Sequence, residues 1–345
     1  GAPGNYIKVW AYPRETPIIK TTDIVTNWTR HTGNIWKKTG WAFDSQQVFV
    51  DFDVNPGPPL KQTGFPVTFN EPSKQSFYQN PLRYSPCPDG MIAGSFCYDK
   101  NSSTLYVWLA DSSDPNAHVM DVGARWRGMY VHAPRGYFHF KGLTFRFSNN
   151  NAFSMFGGVA TAGTHSILED VDVQWGDFGG IGIGVGGMVL NSTVSNNGNN
   201  GIGNGGDDII IRGNKISGNN YRLFDPGWHA GGMKLTRGFD GIIENNEVWE
   251  NYGSGIWLDG ADAGGLSIIR NNYVHDNVQV VGSFSVGIMF EISNNALIHN
   301  NIVLNNANRG IYLSTSAQAD IFNNTVSGSS AYSMVDLEGN MARAP

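Results

Sequence analysis

Charge is scarce in this chain. Asp, Glu, Lys and Arg together make up 15% of its 345 residues, which argues against helical bundles with salt-bridged faces. The formal net charge is −6 and no run of five basic residues occurs. The phosphate-neutralising footprint of a nucleic-acid binder is therefore missing, and nucleic acid is not an expected partner. No apolar run reaches 18 residues, so no membrane-spanning helix is expected. The chain opens at Gly1 with neither Met nor a basic leader, and its natural start is expected to have been removed. Cysteine occurs twice, as Cys87 and Cys97 in SPCPDGMIAGSFC. No CxxC or Cys/His spacing supports a metal site. The short Pro- and Gly-containing loop fits a disulfide in an oxidising compartment as well as it fits two buried thiols. A Cys87–Cys97 disulfide is the expectation.

Glycine, by contrast, occurs 44 times, and Asn is abundant after residue 190. Both residue types serve turns, glycine because it adopts positive φ without a steric penalty. From about residue 140 one phrase recurs: an apolar pair, often Asn-Asn, any residue, an apolar residue, then Asn three positions later. Aligned on that apolar residue, the anchors are Phe145, Val173, Val194, Ile216, Val248, Val274, Val303 and Val326, at intervals of 21 to 32 residues. Units of this length cannot bury their own apolar face and must stack. Two positions before five anchors stand Asn214, Asn246, Asn272, Asn301 and Asn324, so each coil should turn at one place with its amide over the next. The pattern predicts an all-β fold, a right-handed parallel β-helix. The alternating IKVWAYPRETPII at 7–19 suits an early coil. Between 25 and 125 the register is lost among Pro-rich stretches and strands such as STLYVWL. The expected organisation is first coils at 1–24, an inserted β subdomain at 25–125, and the helix with its groove at 126–345.

Within that repeat GIWLD ends at Asp259 and GIMFE ends at Glu291. Strand side chains alternate between faces, so Ile256, Leu258, Ile288 and Phe290 should fill the core while Trp257, Asp259 and Glu291 point out. Neighbouring parallel strands lie about 4.7–4.9 Å apart, close to the roughly 5–5.5 Å between the carboxyls of a retaining glycosidase. Two like charges at that distance also raise one pKa and keep one carboxyl protonated as an acid. In the same register, AGGMKLTR points Lys234 and Thr236 outward, GIYLST points Tyr312 and Ser314 outward, and Gly203 and Gly205 leave one wall bare for a sugar ring. Trp228 and His229, in DPGWHAGG, are expected at the rim, suited to sugar stacking and hydroxyl recognition. Asp207 and Asp208 in GNGGDD read first as a turn pair, with a calcium ligand set or a second acid pair as alternatives; Asp208 is kept among the substrate-binding candidates. No cofactor is expected, though a structural calcium is compatible with the sequence.

These residues resemble a known family. WLD, followed by RNNYVHDN and then FEIS, is similar to the β-helical β-xylosidases of glycoside hydrolase family 120, whose Asp nucleophile and Glu acid/base sit in like contexts. HAGGMKL resembles that family's segment carrying a sugar-contacting Lys, here Lys234. GAPGNYIKVWAYP and GLTFRFSNN resemble the wider group of bacterial secreted β-helix proteins. The resemblance implies Asp259 as nucleophile, Glu291 as acid/base, an oligosaccharide or polysaccharide substrate, and a secreted or periplasmic location. Two other readings compete. A β-helical polysaccharide lyase or uronate epimerase would cast Lys234, Arg237 and His229 as base and cations, although Asp259 and Glu291 would repel a uronate. A non-catalytic carbohydrate-binding β-helix would show aromatics without juxtaposed acids. No feature of the sequence sets an oligomeric state.

Overall fold

The computed structural model describes residues 1–64, 85–132, 134–149, 158–236, 238–261, 264–280, 285–329 and 334–338. The chain winds into a right-handed parallel β-helix built of three sheets, each of nine strands among the described residues. The first sheet starts with Ile7–Trp10, paired in parallel with Phe138–Lys141. The second starts with Ile18–Lys20, paired with Thr144–Arg146. The third starts with Met129–Tyr130 beside Gly158–Thr161. Ile7–Trp10 and Ile18–Lys20 are the edge strands of the first and second sheets.

All eight anchors fall in one row of the second sheet, from Phe145 opposite Val173 to Val303 opposite Val326. They meet Leu168, Ile211 and Ile243 of the first sheet and Ile256, Leu258 and Phe290 of the third in one continuous apolar core. The Asn stack forms as expected: Asn214, Asn246, Asn272 and Asn301 each donate through Nδ2 to Oδ1 of the next Asn at 2.9–3.0 Å, ending on Asn324. The third-position Asn of the phrase builds a second ladder, Asn197, Asn219, Asn251, Asn277 and Asn306, linked at 2.8–3.0 Å. Each ladder satisfies turn backbone groups that water cannot reach.

These ladders also explain the Gly that opens GIWLD and GIMFE. A Cβ on Gly255 would lie 2.7 Å from Val274 Cγ1 and 2.9 Å from Asn277 Nδ2, and one on Gly287 would lie 2.5 Å from Val303 Cγ1 and 2.7 Å from Asn306 Nδ2. The third sheet begins in the corner between the anchors and the second ladder, where no side chain fits.

Between the first and second turns of the solenoid the chain forms two further sheets. One has the order Thr29–Thr32, Ile35–Thr39, Thr104–Trp108, Ser95–Asp99, Lys61–Gln62; the other joins Thr22–Ile24, Met120–Gly123 and Val48–Val50. They share a core of Trp28, Phe96, Leu105, Val107 and Met120, and Cys87 and Cys97 form a disulfide. Phe49 and Phe52 pack on Phe147 of the solenoid. Gln62 Oε1 accepts from Arg222 at 2.6 Å, which ties these sheets to the segment that leads into the candidate site.

Candidate functional site

The site lies on the outward face of the third sheet, where Gly231–Thr236, Ser254–Asp259, Val286–Glu291 and Arg309–Ser314 run side by side. Two outward rows cross these strands. Lys234, Trp257, Met289 and Tyr312 stand opposite one another in one; Thr236, Asp259, Glu291 and Ser314 form the other. The alternation that buries Ile256, Leu258, Ile288 and Phe290 delivers both carboxylates to one face on adjacent strands.

Their environments differ. Lys234 Nζ lies 2.9 Å from Asp259 Oδ2, donates to the Trp228 carbonyl, and sits 3.4 Å from the centroid of the Trp257 ring. Lys234 as a whole is 5% exposed. Burial lowers its pKa, while the Asp259 and then the Glu291 charges oppose that shift. Glu291 is pushed above the usual carboxylate range, first by burial and then by the Asp259 charge; Lys234 and a hydrogen bond from Trp257 act against the rise. That bond runs from Trp257 Nε1 to Glu291 Oε2 at 3.1 Å. Asp259 therefore carries a direct countercharge, whereas Glu291 holds its proton to higher pH than an ordinary glutamate does.

Trp257 points outward yet is 2% exposed, packed with Val286, Met289 and Tyr312 beneath the Lys234 ammonium. It reaches the site through its N–H rather than through an open ring face. His229 is also buried. Nδ1 lies 2.8 Å from Asn199 Oδ1 and its ring is parallel to Phe178 at 6.1 Å. Burial, then the Lys234 charge, lower its pKa to about 3, so the imidazole is neutral over the ordinary pH range. Trp228 lies beside it, ring centroids 5.3 Å apart, and is partly exposed.

Asp208 is placed elsewhere. It occupies an exposed turn after the strand Asn200–Asn204, at φ 58°, with its backbone N–H donating to Asp240 Oδ1 at 2.6 Å. The expected bare wall is also absent. A Cβ on Gly203 would lie 2.4 Å from Asn200 Nδ2, and one on Gly205 would lie 2.0 Å from the Thr236 carbonyl oxygen. These glycines make room for neighbouring protein groups, not for a sugar. Arg237 lies outside the described residues.

Sequence reasoning passed over three participants. Asn199 fixes His229, the Trp228 carbonyl fixes Lys234, and Glu338 extends the acidic row one strand beyond Ser314, accepting from the Tyr312 hydroxyl. The signal for Glu338 was present: VDLE at 335–338 ends in an acid at the same register as GIWLD and GIMFE. Among the described residues no three His, Cys, Asp or Glu side chains converge as a metal site, and no helix is long and apolar enough to cross a membrane.

Comparison with known proteins agrees with this architecture. A family model described as a right-handed beta helix region matches residues 157–326. No curated protein sequence matches the chain. Among solved structures the chain is similar to the complex of XylC with xylose, at 15% identity and a TM-score of 0.62 over 91% of this chain and 60% of that one. It is also similar to a structure described as a glycoside hydrolase, at 10% identity and a TM-score of 0.51 over 94% of this chain and 83% of that one. The chain spans 60% of the length of the XylC chain. At these identities the likeness is one of fold.

Proposed function

We propose that the protein is a carbohydrate-active enzyme, and specifically a retaining glycoside hydrolase acting on an oligosaccharide or polysaccharide of the xylose type, with Asp259 as nucleophile and Glu291 as acid/base. One observation carries this reading: Asp259 and Glu291 are register partners on adjacent parallel strands, with Glu291 shifted toward its protonated form and Asp259 matched to a cation. Protonated Glu291 gives its proton to the leaving glycosidic oxygen while Asp259 attacks the anomeric carbon. Glu291, now a carboxylate, takes a proton from water, and that water releases the sugar with its original anomeric configuration. Lys234 holds the Asp259 carboxylate in place, and His229 with the partly exposed Trp228 borders the sugar. The resemblance of WLD and FEIS to the family 120 β-xylosidases supports the assignment of roles, and the xylose bound by XylC supports the choice of sugar. The disulfide favours a secreted or periplasmic protein.

The rival β-elimination reading needs a free base. Lys234 is engaged by Asp259, the Trp228 carbonyl and the Trp257 ring, and its pairing with a carboxylate disfavours a uronate beside it.

The test is turnover of aryl glycosides and xylo-oligosaccharides with product anomers read by NMR. Asp259→Ala should abolish turnover of every substrate. Glu291→Ala should retain the first step for substrates with good leaving groups and be rescued by azide as a glycosyl azide of retained configuration. Inverted product, or an unsaturated uronate product that persists in both variants, would overturn the proposal.

A further inference from the structure

Asp259 as nucleophile and Glu291 as acid give the leaving group a direction. Displacement at the anomeric carbon is in line, so the leaving oxygen lies on the far side of that carbon from Asp259 and within reach of the Glu291 proton. The departing group therefore extends past Glu291 toward the next two strands, Arg309–Ser314 and Val335–Glu338. The proposed reaction uses none of their outward side chains. Register continues the row of the two acids across them, Glu291 opposite Ser314 and Ser314 opposite Glu338. At parallel-strand spacing Glu338 stands about 9–10 Å from Glu291, with Ser314 between them. Tyr312, in the neighbouring row, turns its hydroxyl into this one: it donates to Glu338 Oε2 and is hydrogen-bonded to Ser314. Burial, then the bond to Glu338, hold Tyr312 above the usual tyrosine range, so it stays a phenol and a donor. Its ring is 7% exposed as part of the residue, packed with Trp257, Val286 and Met289, and the Arg309 guanidinium lies 4.5 Å from its centroid. Glu338 itself is exposed.

We infer that Ser314, Tyr312 and Glu338 form the subsite for the leaving group, and that this subsite takes a neutral, hydroxyl-bearing sugar in preference to an aromatic or apolar group. The inference rests on the proposed reaction. A carboxylate has two oxygens and about four lone-pair positions. One of them accepts from Tyr312, which restrains Glu338, and the others remain for sugar hydroxyls. Hydrogen bonds to an ionised acceptor are the stronger kind, and a leaving group with no donor to offer forgoes them. The Tyr312 ring is closed off by its packing, so it reaches the subsite through the hydroxyl and gives an aromatic leaving group no face to stack on. Arg309 is bonded to Asp336 at 2.6 Å, and a uronate in this position would meet Glu338 as like charge.

The test compares two leaving groups, with kcat/KM measured for xylobiose and for an aryl xyloside and the melting temperature of each variant checked for folding. In Glu338→Ala the ratio of the xylobiose value to the aryl value should fall about tenfold, the scale of one hydrogen bond to a charged group. Tyr312→Phe, which removes the hydroxyl that restrains Glu338, should lower the ratio by less. Transfer gives a second readout, because both substrates form the same glycosyl-enzyme. Added xylose should capture less of it in Glu338→Ala than in wild type, measured relative to methanol, which is too small to span the two strand spacings from Glu291 to Glu338. A wild-type ratio in Glu338→Ala, or an equal loss on both substrates, overturns the subsite and leaves the reaction standing. A wild-type ratio in Tyr312→Phe removes Tyr312 from it. Wild type that turns over neither substrate, or Asp259→Ala that turns over both, overturns the reaction and the subsite with it.

Discussion

The indole N–H of Trp257 donates to Glu291 Oε2 at 3.1 Å, and the two residues stand on neighbouring strands two positions out of register, since Trp257 pairs with Met289 and Asp259 with Glu291. This diagonal contact links a buried ring to the carboxyl proposed to shuttle the proton. It stabilises the charged form of Glu291 against burial and the Asp259 charge, which raise its pKa, and so limits how far that pKa climbs.

Trp257→Phe should therefore raise the Glu291 pKa and move the basic limb of the kcat/KM profile to higher pH. A ring that only stacked on sugar would change KM and leave the limb in place. The measurement is a pH profile of both proteins with an aryl glycoside.

The same shift bears on stability. The folded chain binds the Glu291 proton more tightly than the unfolded chain, so this contribution is full below the ordinary Glu pKa and is lost as pH rises through the folded value. Glu291→Gln should remove that slope. Denaturant melts of both proteins at a series of pH values across and above the ordinary carboxylate range check it.

Lys234→Met should lower kcat/KM by about a hundredfold or more, the scale seen when one preorganised electrostatic group is lost from an active site. It deprives Asp259 of its countercharge and removes an influence that holds the Glu291 pKa down. The basic limb should again move up, together with the loss of rate. An unchanged profile would show that Lys234 acts only in packing.

Asn272 accepts at Oδ1 from both the backbone and side chain of Asn246 and donates to Asn301 and the Ile243 carbonyl. Asn272→Ala strands several buried polar groups at once and should destabilise by about 2–4 kcal/mol. A lower melting temperature, with hydrogen exchange quickened in the coils on either side, is the expected record. Asn295, on the first sheet, has no place in either ladder, and its replacement serves as the control.

Reducing Cys87–Cys97, which closes a separation of 10 residues, should cost the inserted sheets about 2–3 kcal/mol. The third sheet of the solenoid should hold. Proteolysis with and without reductant, with cleavage sites mapped, separates the two regions.

Much of the solenoid was legible in the residues because its constraints are local and repeated. Each coil needs an apolar anchor, an amide at each turn and a small residue at the corner, so Val248 with Asn246, Asn251 and Gly255 states one coil and Val274 with Asn272, Asn277 and Gly287 states the next. Strand alternation likewise brings Asp259 and Glu291 to one face, and both acids could be found from the phrase alone. What lies between the coils could not. That Trp257 is closed off by Lys234, that Asn199 holds His229 in a buried and neutral state, and that Asn200 fills the space over Gly203 depend on how side chains from separate coils and from the 218–230 segment pack together. Periodicity gives the direction in which a side chain leaves the sheet. Only the tertiary contacts decide what covers it, and through burial and neighbouring charge they set which carboxyl keeps its proton.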